Sequence, residues 1–131
     1  MYGSVRTECE HVFVPYVELH AHTAFSFLDG ASSPAELAAA AVELGHEAMA
    51  VVDHNGVSGS MEFAQAAQPL GLRAIHGVEV DVEDPRGEGP DRHVTLLVEN
   101  TVGWRNLCRI VTRAHVHDRD PGEPPPAVPL E

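Results

Sequence analysis

Apolar and polar positions divide the chain into four runs of strand formers and three stretches with helical spacing. The strand-like runs are Tyr16–His22, Ala48–His54, Arg73–Val82 and His93–Glu99, rich in β-branched and aromatic residues and bounded by turn formers. Between the first two, Ser33-Pro34-Ala35-Glu36 reads as a capping box with proline at the first helical position. Leu37, Ala41 and Leu44 then recur at helical spacing, and Gly45 is placed to stop the helix. A second helix is predicted from Ser60 to Leu70, burying Met61, Phe63, Ala64 and Ala67, with Gly71 as its stop. The order β-α-β-α-β predicts parallel strands joined by right-handed crossovers.

The pattern then changes. Only Glu83 to Arg92, a stretch of turn formers, separates the third run from the fourth, which leaves no room for a crossover helix. The fourth strand is therefore expected to return antiparallel, as a hairpin with a long tip. A third helix follows, capped by Thr101, with Trp104, Leu107, Cys108, Val111 and Ala114 on one face. The predicted fold class is α/β, with about four strands and three helices over residues 14–117. Residues 1–13 read as an N-terminal tail and 118–131 as a Pro-rich flexible tail with little to pack. No internal repeat is present.

The length, 131 residues, suits one domain. No apolar run approaches the ~20 residues of a membrane span, so no membrane partner is expected. The first residues lack a basic region followed by an apolar stretch, and Cys9 and Cys108 form no C-x-x-C motif. The expectation is a cytoplasmic protein with reduced thiols. Twenty acidic residues against eight arginines give a formal charge of −12, which argues against a free-standing nucleic-acid binder. A negative surface can still surround a site whose positive charge comes from bound metal.

The stretch LHAHTAFSFLDGAS carries the first candidate chemistry. His20 and His22, at i and i+2, share a face if they lie on a strand, so they read either as metal ligands or as a core pair with backbone partners. Sites in open and barrel α/β folds gather at the C-terminal ends of parallel strands. There the first strand offers His20 and His22, with Asp29 in the following loop. The second ends in Asp53-His54, and the third carries Glu79. If the fourth strand is antiparallel, its start brings His93 to the same rim, near Glu79. Such mixed nitrogen and oxygen ligation suits two to three ions of Zn²⁺, Mn²⁺ or Fe²⁺ better than Mg²⁺. Ions of this kind generate hydroxide at neutral pH and clamp phosphoester oxygens.

Other residues have plainer readings. His115 and His117 repeat the H-x-H spacing at a helix end, where i and i+2 do not share a face, and read as helix-terminal or solvated. His11, His46 and His76 read as tail, helix C-terminus and strand interior. Arg105, Arg109 and Arg113 form a stripe on the last helix, expected to be a solvated face rather than a contact for a DNA backbone, and Cys108 reads as core.

Taken together, LHAHTAFSFLDGAS, AVVDHNG, GVEV and HVTLLVENTVGWRNLCRIVTRAH resemble the opening of a PHP domain, the polymerase and histidinol phosphatase family of metal-dependent phosphoesterases. The variant most similar is the N-terminal PHP domain of bacterial error-prone DNA polymerases of the polymerase III alpha-subunit type. The resemblance implies metal ligation by His20, His22, Asp29, His54, Glu79 and His93. It places the Asp53–His54 pair in the catalytic motif, with Asp53 as a partner orienting a ligand rather than a ligand itself. PHP domains are distorted barrels of about seven strands, completed by later ligands and an Asp-x-His pair. The expectation is therefore half of such a barrel, a fragment or truncated product of a larger enzyme, with open sheet edges that invite self-association. Polymerase catalysis would lie beyond residue 131. The implied activity is metal-dependent phosphoester hydrolysis, exonuclease- or pyrophosphatase-like, within a polymerase serving DNA repair and synthesis past lesions. Its partners would be DNA, bound through the full-length polymerase, and replication or translesion proteins. A metal-stabilised structural module and a stand-alone phosphatase for small phosphate esters are the alternatives.

Overall fold

The computed structural model describes residues 16–82, 92–116 and 127–128, with no account of the side chains of the last pair. The elements run β1 (Glu18–Ala21), α1 (Pro34–Glu43), β2 (Ala48–Val51), α2 (Ser60–Leu70), β3 (Arg73–Val82), β4 (Arg92–Leu97), α3 (Thr101–Val116) and β5 (Ala127–Val128). The sheet order is β1-β2-β3-β4. β1, β2 and the first part of β3 are parallel, and β4 returns antiparallel from Val82↔Arg92 to Gly77↔Leu97. This is the half-barrel with a closing hairpin that loop length predicts. The hairpin tip, Cys9, His11 and His117 lie outside the described residues.

Local chemistry sets most boundaries. Ser33 Oγ accepts from the Glu36 N–H at 3.2 Å and the Glu36 carboxylate accepts from the Ser33 N–H at 2.7 Å, the reciprocal capping box that starts α1. Gly45 (φ +81°) and Gly71 (φ +71°) follow α1 and α2 in the left-handed region that favours glycine. The cap of α3 differs from expectation. Asn100 Oδ1 accepts from the N–H groups of Val102 (2.9 Å) and Gly103 (3.0 Å), so Asn100, one residue before Thr101, is the cap.

Two cores lie on the helix-facing side of the sheet. Met49 and Val51 of β2 pack with Ala38, Ala41, Phe63, Ala67 and Leu72, while Val78, Val80 and Val82 of β3 pack with Leu107 and the partly buried Trp104 and Val111. Met61 (70% exposed), expected to be buried, sits in the first turn of α2, and Leu44 (75% exposed) is the C-cap of α1. Because strand side chains alternate, β3 sends its valines to the helices and Glu79 and Asp81 to the opposite face. Within the segment expected to be a free tail, Ala127–Val128 pair parallel with Asp81 and Val82 of β3. Among the described residues, no helix is long and apolar enough to cross a membrane.

Candidate metal centre

β1 is shorter than its sequence run, so His20 lies on the strand and His22 just past its end. β2 likewise stops at Val51, yet His54 still makes a parallel bridge to Glu79 and thereby docks on β3. Around this edge the imidazole rings of His20, His22, His54 and His93 follow one another with centroids 5.1, 4.4 and 5.6 Å apart. Carboxylates fill the spaces between them. Glu79 Oε2 lies 3.3 Å from His20 Nε2, 2.9 Å from His22 Nε2 and 3.5 Å from His54 Nδ1. Asp29 Oδ2 contacts His22 Nδ1 and lies 3.1 Å from His54 Nε2. Hydrogen bonds from His22 and then His54 hold the Asp29 carboxyl below the usual carboxylate range. The six residues expected to be ligands thus meet on one edge.

The antiparallel β4 brings His93 to this edge, two positions along β3 from Glu79. Glu79 stands opposite Thr95, and His93 stands opposite Asp81, with Nδ1 2.6 Å from Asp81 Oδ1. Asp81 therefore joins the edge although sequence reasoning passed over it. The signal was present: Asp81 follows Glu79 at i+2 on one strand, the same spacing that singled out His20 and His22.

Three overlapping groups, His20/His22/Glu79, His22/Asp29/His54 and His54/Asp81/His93, each hold donor atoms within 4.8 Å of one another. Two buried donors, His22 Nε2 and Asp81 Oδ1, have no hydrogen-bond partner despite their close ionic neighbours. A buried imidazole nitrogen and a buried carboxylate oxygen left without hydrogen bonds are donor atoms of the kind that a divalent cation completes. The residues fit such an ion.

Asp53 takes no part in these groups. Its carboxylate is 2% exposed and accepts from the Thr23 N–H (2.7 Å), Thr23 Oγ1 (2.9 Å) and Ser26 Oγ (2.7 Å). Ser26 Oγ in turn accepts from the His54 N–H at 3.1 Å. Asp53 thus acts on the loop that carries Asp29 and, through Ser26, on the backbone of His54. His115 is helix-terminal and exposed, as expected, in the last turn of α3, and makes one further contact. Its Nε2 lies 2.6 Å from the carbonyl oxygen of Asn55, tying the end of α3 to the loop after β2. Arg105, Arg109 and Arg113 are exposed along α3, as a solvated face requires.

A family model described as "PHP domain" matches residues 18–127. The chain is 43% identical over 115 residues to the error-prone DNA polymerase of Mycolicibacterium paratuberculosis, covering 85% of this chain and 10% of the relative. It is 41% identical over 114 residues to that of Symbiobacterium thermophilum, covering 87% and 10%. The chain thus spans about a tenth of the length of the curated relatives it matches. Among solved structures, a protein from Bifidobacterium adolescentis described as a metal-dependent phosphoesterase superposes with a TM-score of 0.59 at 26% identity, over 75% of this chain and 32% of the other. An amidohydrolase from Chromobacterium violaceum, solved with bound sulfate, gives 0.60 at 28% identity over the same shares.

Proposed function

The chain belongs to the PHP-domain family, and on that premise we propose that its histidine-lined edge is a divalent-metal site for phosphoester hydrolysis within an error-prone DNA polymerase. The observation that carries this reading is the unbroken row of imidazoles interleaved with Asp29, Glu79 and Asp81. His20, His22, Asp29, His54, Glu79 and His93 would hold two to three ions, with Zn²⁺, Mn²⁺ or Fe²⁺ favoured over Mg²⁺ by the nitrogen donors. Bound there, such ions supply Lewis acidity toward a phosphoryl oxygen and a hydroxide at neutral pH. The protein's own part is positional. Glu79, nearly buried, faces His20, His22 and His54 together, and Asp29 spans His22 and His54. Asp53 fixes the loop behind them, so its place in the catalytic motif is that of a positioning residue.

The substrate class is a phosphodiester or pyrophosphate, as in an exonuclease- or pyrophosphatase-like activity. In the longer protein the domain would serve a cytoplasmic DNA-directed DNA polymerase in repair and synthesis past lesions, with DNA and replication or translesion proteins as partners. β1 and β4 each have an edge without a strand partner among the described residues, so the isolated chain is expected to self-associate, which sedimentation equilibrium measures.

The test is His22→Ala, made both in this chain and in the full-length polymerase. Loss of bound metal together with phosphodiester hydrolysis is the expected result. Unchanged hydrolysis rejects the catalytic reading. A second reading, a purely structural metal module, is favoured by the way the three groups join β1, the Asp29 loop, the end of β2, β3 and β4. It predicts metal loss and lowered stability with no hydrolysis detectable in either parent protein.

A further inference from the structure

We propose that Asp81 is an additional metal ligand of this edge, acting with His54 and His93, and that Asn55 positions it. The inference rests on the reading of the edge as a metal site, but none of the motifs that carry the family resemblance assigns either residue.

Asp81 is only 8% exposed, and a buried carboxylate requires hydrogen bonds, a paired charge or a metal. Its Oδ2 accepts from Asn55 Nδ2 at 2.8 Å. Its Oδ1 has no hydrogen bond, although His93 Nδ1 is only 2.6 Å away. A carboxylate whose task is to orient a ligating histidine accepts a hydrogen bond from it. Asp81 Oδ1 and the His93 nitrogen instead converge, and a donor atom of His54 completes a set within 4.8 Å. Two imidazoles and one carboxylate form a three-ligand set that leaves a coordination position open, as hydrolytic metal sites need.

The placement of Asp81 is enforced. Asn55 grips it at two points: Nδ2 donates to the carboxylate, and Oδ1 accepts from the Asp81 backbone N–H at 3.0 Å. The Asn55 backbone is also fully engaged, its N–H donating to the Glu79 carbonyl at 2.7 Å and its own carbonyl accepting from His115 at 2.6 Å. Asn55 holds φ at +51°, a conformation that asparagine tolerates better than most side chains. Four bonds on one residue at a left-handed turn thus lock the loop after β2 to β3 and leave a single Asp81 oxygen unsatisfied, facing His93.

The experiment compares the parent chain with Asp81→Asn, Asn55→Gly and the double variant His20→Ala/His22→Ala, each stripped and reloaded with Zn²⁺ or Co²⁺. Asp81→Asn keeps shape and the link to Asn55 but removes the anionic donor. It is expected to lose about one metal equivalent per chain by elemental analysis and to weaken the Co²⁺ absorption, while the metal-free variant melts no lower than the metal-free parent. Asn55→Gly preserves the left-handed turn and removes only the clamp, so metal affinity is expected to fall roughly 10–100-fold. If Asp81→Asn does not fold, Asp81→Glu keeps the charge and displaces it by one methylene, and a changed Co²⁺ spectrum is expected. A full metal complement with unaltered affinity and spectrum in the folded Asp81 variant overturns the proposal, as it assigns Asp81 no more than an orienting role. If the double variant also retains every equivalent, the metal-site reading itself fails.

Discussion

Gly30 stands where a side chain has no room: a Cβ there would lie 1.9 Å from the Thr23 carbonyl oxygen. That carbonyl belongs to the residue held by Asp53, so the Asp29 loop closes on itself through Gly30. Gly30→Ala is expected to destabilise the fold by about 1–3 kcal/mol and to weaken metal binding with it, measured by urea denaturation and Zn²⁺ titration. A stable variant with unchanged affinity would show that the loop can relax without moving Asp29. His76 illustrates a different local effect. Burial between Phe63 and Trp104 pushes its imidazole below the ordinary 6.5, and its Nδ1 has no partner. The unfolded chain therefore takes up this proton more readily than the folded one. The contribution is complete above about pH 6.5 and is lost as pH falls below it. Val57, Ser60, Met61 and Ala64 line the space beside the ring and supply no charge to offset the effect. His76→Leu is thus expected to flatten the decline in stability from about pH 7 to 5 relative to the parent, and parallel pH profiles would refute it. At this scale the sequence revealed residue types better than partners. The i and i+2 rule found His20 and His22, but Asp81 emerged only once the hairpin register set it opposite His93.

Elements were most legible where short-range chemistry decides them. Ser33 and Glu36 cap α1 by bonds to neighbours three residues away, and Gly71 ends α2 by its own backbone conformation, so sequence and structure agree there. The hairpin was legible by exclusion, since the linker between β3 and β4 is too short and too rich in turn formers for a helix. Strand lengths were less so: β1 carries a register shift between Glu18 and Ala21, and pairing with β2 is a long-range matter that local propensity does not encode. β5 has only two residues and no periodicity to read. The cap of α3 turns on a single position. Thr101 and Asn100 both have capping side chains, but the hydrogen bonds are made by Asn100. Asn100→Ala is therefore expected to cost about 1 kcal/mol by thermal or urea unfolding, with Thr101→Ala within about 0.5 kcal/mol of the parent. The reverse order would return the cap to Thr101.

At the scale of the molecule, the donor groups come from segments far apart in sequence that the sheet and its loops bring together. Asp29 comes from a long loop, His54 from beyond the end of β2, and His93 from β4, where β3 is the strand partner. The acidic surface gives this arrangement little help, because a formal charge of −12 opposes compaction, and ions at the edge would offset part of it. Any ion that binds the folded chain and not the unfolded one stabilises it by mass action, about 2.7 kcal/mol at a free concentration of 100 times Kd. For a chain of this size that corresponds to a fall of roughly 10 °C in Tm on chelation, restored by Zn²⁺ or Mn²⁺. Differential scanning calorimetry with and without chelator makes the measurement, and His20→Ala/His22→Ala should abolish most of the difference. A Tm indifferent to chelator would mean that no ion binds the folded chain in preference to the unfolded one, and the metal-site reading would fall with it. A large shift without hydrolysis would leave the edge a structural clasp, and only the two results read together separate that role from catalysis.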